Sequence, residues 1–275
     1  AARMARAAAR AMALRVLGSS AGAVSVFRVR FPASGNDSRW RQGKWAACLA
    51  SWAQPGLQAR EHDLRDGLAA VKAAVPHLAA AYLAFRRPVE QADFARYAIL
   101  YRDGGVYADM DQELWDAERL RRLAGSGLLV LPIEAAGDGV LLAQSVLVSP
   151  PRHPFWLALM HHVARRYQPW CAANENTGPG ALTRFFEWSG ACERWSDEGV
   201  AVAYDLMGSQ AWATPGTVVL HYFTAAWLDG ASAAALAARN ATAVRRCGGD
   251  IRVSAARHAC IRSVDSLLRP SDDPG

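Results

Sequence analysis

Residues 92–111 read ADFARYAILYRDGGVYADMD, and they decide how the rest of the chain is arranged. Their first half has the spacing of an amphipathic helix, and Pro88 marks its start. The glycine pair at 104–105 marks its end. Residues three apart share a helix face, so Asp93 and Arg96 are predicted to point toward a common ligand.

The second half of the stretch predicts a short buried strand, residues 106–108, that ends at two aspartates. If strand geometry continues, Asp109 and Asp111 point the same way. Two carboxylates held close together repel unless a proton or a cation lies between them. Oxygen ligands of this kind suit Mg²⁺ or Mn²⁺, which also bind substrate phosphates. The pattern predicts a metal and diphosphate site at a strand end, with a solvated acidic turn as the alternative.

The whole stretch resembles the DXD sugar-binding region of retaining glycosyltransferases, a family that includes yeast, capsular-polysaccharide and clostridial-toxin enzymes. The pattern is A-D-x-x-R-x-x-x-L-x-x-x-G-G-x-Y-x-D-x-D. Its fixed positions are occupied here by Asp93, Arg96, Leu100, Gly104, Gly105, Tyr107, Asp109 and Asp111. The resemblance extends from about residue 46 to residue 227. It implies an α/β fold of the GT-A type, a single domain with a Rossmann-like mixed sheet flanked by helices.

The resemblance also implies a reaction. A divalent cation, Mn²⁺ or Mg²⁺, would assist transfer of a hexose from GDP-mannose or a UDP-hexose to a glycan, glycolipid or glycoprotein, with retention of configuration. Asp111 would bind the metal, and Asp109 would support the metal or the ribose. Asp93 and Arg96 would hold hydroxyls of the donor sugar. No second carboxylate is evident for a covalent intermediate, so a front-face route is preferred; Glu134 and Asp138 are the nearby acidic candidates for sugar or acceptor contact.

Other donor-site residues follow from the same resemblance. A closing histidine and tryptophan, His221 and Trp227, would reach the diphosphate, with His221 as a third metal ligand. The further positions implied at the donor site are Tyr107, Gly105, Thr177 in a T-G-P turn, and Gln144. Two positions depart from the family. Gln144 stands where an asparagine is usual, and Phe31 stands where a tryptophan stacks on the base.

Local patterns predict the remaining elements. Alternating apolar residues predict a first strand over 23–31, and a continuous apolar run predicts a buried strand over 128–131. Helices are predicted for 45–52, 63–84 with a break near Pro76, and 181–188. The predicted organisation is a basic N-terminal segment (1–22), a catalytic domain (23–228) and a helical C-terminal extension (229–275).

Composition limits the partners. The 275 residues carry a formal charge of +6, but the basic residues are scattered and form no nucleic-acid-binding motif. No apolar run is long enough to span a membrane, so membrane association would depend on an N-terminal anchor missing from this sequence. Sequons at Asn36 and Asn240 and the yeast relatives favour the Golgi lumen and a type II membrane protein. A bacterial cytoplasmic enzyme is the alternative.

The five cysteines lack the CxxC spacing of a structural zinc site. Pairing of Cys171 with Cys192 and of Cys247 with Cys260 would suit an oxidising compartment. Free buried thiols are the alternative.

Two other functions compete with sugar transfer. One is a phosphohydrolase with an aspartate nucleophile, but Glu113 and the preceding glycine pair do not fit its motif. The other is a non-catalytic glycan- or nucleotide-binding relative that has kept the fold. The intact pair Asp109 and Asp111, together with Asp93 and Arg96, favours an active transferase over this non-catalytic relative.

Overall fold

The computed structural model describes residues 23–30, 43–136, 139–211, 213–223 and 260–269. Several predictions concern positions outside these ranges: the basic segment 1–22, both sequons, Phe31, Asp138, Trp227 and Cys247.

Eleven strands are assigned within the described residues. They are β1 Val24–Val29, β2 Leu57–His62, β3 Gly105–Ala108, β4 Gln112–Leu114, β5 Leu129–Ala136, β6 Gly139–Leu142, β7 Val146–Ser149, β8 Val200–Ala203, β9 Met207–Gly208, β10 Val219–His221 and β11 Ile261–Arg262.

The helices of the same ranges are α1 Gly43–Ser51, α2 Leu64–Ala74, α3 Ala79–Ala84, α4 Pro88–Asp103, α5 Ala117–Gly125, α6 Pro154–Arg166, α7 Ala173–Asn176, α8 Pro179–Trp188, α9 Ala191–Trp195 and α10 Val264–Leu268. Short 3₁₀ helices lie at Pro76–Leu78 and Ser196–Glu198. The predicted break near Pro76 is therefore present. None of these helices combines the length and apolar character needed to cross a bilayer.

The main sheet has the strand order β11-β8-β5-β7-β3-β1-β2, with β6 paired to β5. In this eight-stranded sheet of the described residues, only β6 and β7 run against the other strands. A smaller sheet, β4-β10-β9, lies beyond the end of β3. The predicted mixed α/β sheet flanked by helices is confirmed.

The main sheet packs on both faces. Alternate residues of β1 divide between two apolar clusters, with Phe27 and Val29 in one and Val26 in the other. The first cluster includes the apolar residues of α4 between positions 92 and 100, and the second includes Trp52 with Leu120 and Leu123 of α5. Burial on both faces explains why β3, β5 and β7 read as apolar runs rather than alternating ones.

Helix α4 carries the residues on which the sequence analysis depends, and its ends follow the predicted signals. Pro88 is at its first turn, and the preceding residue is extended, as expected before proline. Gly104 ends the helix with φ 66°, where an added Cβ would lie 2.5 Å from the backbone nitrogen of Pro151. Between them every residue from 92 to 100 is buried, so this part of α4 lies inside the protein.

Two observations concern the C-terminal residues that the structure describes. Within the predicted helical extension, β11 pairs in parallel with β8 and adds an edge strand to the main sheet. The pairing of Cys171 with Cys192 was wrong, because Cys192 is bonded to Cys260, with 6.3 Å between their Cα atoms. The second predicted pair, Cys247 with Cys260, is excluded by the same bond. Cys171 is also disulfide-bonded, and Cys48 is a buried free thiol.

Candidate active site

The acidic pair lies in a turn at the carboxyl end of β3. The strand ends at Ala108, and the amide of Gln112 donates to the carbonyl of Asp109 at 3.2 Å, which turns the chain into β4. Strand geometry, the condition for that alternation, therefore does not continue to Asp111. A turn, not strand alternation, places the two carboxylates close together. The amide of Asp109 is fixed by the carbonyl of Ser145 at 2.7 Å.

A histidine from a distant part of the chain completes this group. Antiparallel pairing of β10 with β4 sets His221 opposite Gln112, next to Asp111. The His221 Nε2 and an Asp111 carboxylate oxygen are 3.4 Å apart. Each of Asp109, Asp111 and His221 offers one potential ligand atom, a carboxylate oxygen or an imidazole nitrogen. These three atoms all lie within 4.8 Å of one another. We call these residues the acidic triad; their role as metal ligands remains a prediction.

The electrostatics of the triad favour a bound cation. Burial raises the pKa of Asp109, Arg96 opposes that shift, and Asp111 adds to it. Burial alone would lower the pKa of His221, but its hydrogen bond to Asp111 and the nearby carboxylates raise it above the ordinary value. The His221 Nδ1 atom is buried and has no hydrogen-bond partner within the part of the chain that the structure describes. Two carboxylates and an imidazole provide O and N donors of the kind that bind Mn²⁺ or Mg²⁺.

A second polar group, which we call the Asp93 cluster, lies behind the triad. It consists of Asp93, Arg96, Tyr97, Gln144 and Thr177, all nearly inaccessible to solvent. One Asp93 oxygen accepts from Arg96 and from the Gln144 amide at 2.8 Å each. The other accepts from the Thr177 hydroxyl at 2.8 Å. The carboxylate is thus satisfied by the protein alone.

Arg96 connects the two groups. Its Nη1 atom lies 3.2 Å from the Asp109 carboxylate and donates to the Gln144 carbonyl at 2.9 Å. Its guanidinium carbon lies 4.5 Å from the ring centre of Tyr107, whose hydroxyl donates to Asp109 at 2.6 Å. Although burial works in the opposite direction, the carboxylates of Asp109 and Asp93 hold the pKa of Arg96 above its usual value. Arg96 therefore stays charged and fixes the orientation of Asp109.

Not every predicted position joins these groups. Gly105 lies at the start of β3, three residues or about 10 Å from its acidic end. A Cβ added there would lie 2.5 Å from the Ser25 carbonyl oxygen. The close approach of the two strands therefore explains why this position is glycine. Glu134 on β5 is half-buried; burial raises its pKa, and the charge of His221 partly opposes this. Trp227 and Asp138 lie outside the described residues.

Sequence reasoning missed two residues. Tyr97 donates to the Thr177 carbonyl at 2.8 Å and hydrogen-bonds the Gln144 side chain. Its position four residues after Asp93, on the same helix face, was an available signal. Arg28 on β1 is 1% exposed, and its guanidinium carbon lies 5.0 Å from the ring centre of Trp52. Its guanidinium nitrogens have no hydrogen-bond partner among the described residues, and no local pattern in the sequence indicated this.

Comparison with known families supports the interpretation of this region. Residues 45–117 match the family model described as glycosyltransferase sugar-binding region containing DXD motif. The match includes α4, β3 and both aspartates of the triad, and it confirms the predicted resemblance over that range. The comparisons support a DXD glycosyltransferase.

Two curated relatives from Saccharomyces cerevisiae (strain ATCC 204508 / S288c) are mannosyl phosphorylinositol ceramide synthases. The chain is 31% identical to CSH1 over 134 residues, which is 45% of this chain and 33% of CSH1. It is 34% identical to SUR1 over 100 residues, which is 34% of this chain and 24% of SUR1. The aligned regions thus span a third or less of these relatives.

Among solved structures, PaToxG glycosyltransferase superimposes with a TM-score of 0.42 and 10% sequence identity. The superposition covers 68% of this chain and 80% of that one. A likeness this distant assigns neither mechanism nor substrate.

Proposed function

Because residues 45–117 match a glycosyltransferase sugar-binding region with its DXD motif, we propose that this protein transfers a hexose from a nucleotide-sugar donor to a glycan, glycoprotein or lipid acceptor. The observation that carries the proposal is the acidic triad at the carboxyl end of β3. Its carboxylates and imidazole converge from the turn after β3 and from β10. The carboxyl edge of parallel strands is where α/β sheets bind ligands.

The triad fits a divalent cation. Asp109, Asp111 and His221 would hold Mn²⁺ or Mg²⁺, with coordination positions left for water and donor phosphates. The chemistry supplied by a bound dication is neutralisation of the charge that develops on the leaving nucleoside diphosphate.

The chain's own residues would position the donor. We assign Arg96 the role of holding Asp109 in place, since it is buried and contacts that carboxylate. Asp93 in turn orients Arg96, through their 2.8 Å contact, and Thr177 and Gln144 orient Asp93. The donor sugar would lie against this side of the triad, where Asp93 and Arg96, both buried, would act by positioning Asp109 rather than through the direct hydroxyl contacts that the resemblance implied. Transfer would proceed with retention of configuration.

The donor, acceptor and compartment are finer proposals. The names of the yeast relatives include a mannosyl group and a ceramide lipid, which favours GDP-mannose over UDP-hexoses and a lipid acceptor over other glycoconjugates. The Cys192–Cys260 disulfide and the bonded state of Cys171 support an oxidising compartment, such as the Golgi lumen, over a bacterial cytoplasm.

The test is donor hydrolysis by the full chain, with GDP-mannose, UDP-glucose and UDP-galactose, each with and without Mn²⁺. We expect slow, Mn²⁺-dependent release of one nucleotide. Asp111→Asn keeps the side-chain shape but removes a charged ligand, so the rate should fall at least about 100-fold. The matched control is Asp197→Asn in the 3₁₀ helix Ser196–Glu198, an exposed position that should keep the native rate.

Other outcomes would redirect the assignment. Metal-dependent nucleotide binding without turnover of any donor would favour a non-catalytic relative. Hydrolysis of simple phosphomonoesters, without activity on sugar nucleotides, would contradict the proposal and favour the phosphohydrolase.

A further inference from the structure

A cavity lies between the C-terminal turns of α6 and α8. Its volume is about 380 Å³, within the range of small-molecule sites, about 300–1,000 Å³. It is lined by His162, Arg165, Arg166, Phe185, Trp188 and Ser189. We call it the α6–α8 pocket.

One wall of this pocket is an exposed aromatic side chain. Trp188, the last residue of α8, is 56% exposed. The guanidinium carbon of Arg166 lies 4.8 Å from the centre of its ring, and the His162 ring lies 6.0 Å away, edge-on. A large indole beside a guanidinium offers a flat apolar surface and charged donors to the same ligand.

The pocket is positively charged. Its described lining residues include two arginines and no carboxylate. Arg184, behind the pocket, is neutralised by Glu175 at 2.5 Å, whereas Arg165 and Arg166 have no such ion pair among the described residues. Burial and the charges of Arg166, Arg184 and Arg165 lower the pKa of His162 to about 4, so its ring is neutral at pH 7. The two arginines therefore supply the charge available to a ligand.

The pocket is separate from the acidic triad, although α8 connects the two regions. That helix begins two residues after Thr177, whose hydroxyl donates to Asp93. Its ten residues extend for about 15 Å, and Trp188 is at the far end. No residue that lines the pocket belongs to the triad or to the Asp93 cluster.

We propose that the α6–α8 pocket binds a phosphorylated sugar or polyol, with the phosphate held by Arg165 and Arg166 and the ring placed against Trp188. Guanidinium groups match the bidentate geometry of phosphate oxygens, which explains two arginines without acidic partners. The same chemistry occurs in a soluble sugar phosphate and in the headgroup of a phosphoinositide. This binding site goes beyond the proposed sugar transfer and does not depend on it.

The test uses the full chain carrying Asp111→Asn, without added metal, so that binding is read apart from transfer. Glucose 6-phosphate, glucose and inorganic phosphate are titrated by calorimetry. We expect saturable binding of glucose 6-phosphate, with glucose and phosphate each at least about tenfold weaker. Arg165→Gln/Arg166→Gln and Trp188→Ala should each weaken it by about tenfold or more. Trp115→Ala, a matched control at another exposed tryptophan, should not.

A second arm identifies the source of the ligand. Co-sedimentation is compared for phosphatidylcholine vesicles with and without phosphatidylinositol 4-phosphate. Retention that requires the phosphoinositide and both arginines would support the site with a lipid ligand. Equal binding by native and arginine-substituted proteins, or no binding of any probe, would overturn the proposal. Because these variants lie on the surface, their unfolding temperatures should match the parent and exclude misfolding as the cause.

Discussion

At the scale of single residues, Asp93 shows how burial and hydrogen bonding oppose each other. The side chain is 2% exposed, and burial raises its pKa to about 6, despite the opposing effects of Arg96, Thr177 and Gln144. Thus a carboxylate that is fully hydrogen-bonded still costs free energy when ionised. Such a residue is expected where function, rather than stability, fixes the side chain.

This predicts how stability depends on pH. The folded-state pKa of Asp93 lies above the ordinary aspartate value of 3.8, so the folded protein binds more protons than the unfolded chain between about pH 4 and 6. The stability contributed by Asp93 is present below pH 4 and is lost as the pH rises through 6. Between pH 4 and 6, the free energy of unfolding of the native protein should fall by up to roughly 3 kcal/mol relative to that of Asp93→Asn.

The measurement is denaturant unfolding of both proteins at a series of pH values. Asparagine keeps an oxygen that can accept from Arg96 and Gln144, so the comparison isolates the titrating proton. Parallel curves for the two proteins between pH 4 and 6 would show that Asp93 is not the titrating group.

At the scale of elements, the junction between α4 and β3 determines where the acidic pair lies. Gly104 occupies φ 66° and ψ −160°, a region that residues with a side chain rarely adopt. The next residue starts β3, which pairs with β1 and β7 and ends at Ala108, immediately before Asp109. A shift at this junction would therefore move the first residue of the triad.

Gly104→Ala should lower the free energy of unfolding by at least about 2 kcal/mol, through backbone strain and the 2.5 Å approach of the new Cβ to Pro151. Gly125→Ala is the matched control. Gly125 lies at the end of α5, and no atom lies within 4 Å of a Cβ added there. Gly125→Ala should therefore raise the free energy of unfolding by up to about 1 kcal/mol. The measurement is urea unfolding. Equal effects of the two substitutions would refute this account of the junction.

For the whole molecule, the sequence indicated local features better than long-range ones. Pro88 and the glycine pair marked the ends of α4 because these signals act on their own neighbours. The ladder that brings His221 beside Asp111 joins residues more than 100 positions apart, and only the family resemblance suggested it. The cysteine pairing could not be deduced, since sequence does not determine connectivity. The α6–α8 pocket is formed by the packing of two helices, and no sequence motif indicated it.

The Cys192–Cys260 bond gives the last prediction, because it attaches the C-terminal residues to the body of the protein across 68 positions. It lies beside β11, whose pairing with β8 is only two residues long. Closing a loop of that length in the unfolded chain should stabilise the fold by about 2–4 kcal/mol. The double variant Cys192→Ser/Cys260→Ser should unfold at a correspondingly lower denaturant concentration in oxidising buffer.

A reducing agent provides the control for this variant. It breaks the bond to Cys171 in both proteins, but Cys192–Cys260 exists only in the native chain. The difference in unfolding free energy between the two should therefore disappear on reduction. A difference that persists in reducing buffer would show that the serines, rather than the lost crosslink, destabilise the fold. Equal stability in oxidising buffer would show that pairing with β8 and the Asp205 contact to Val264 hold this region without the disulfide.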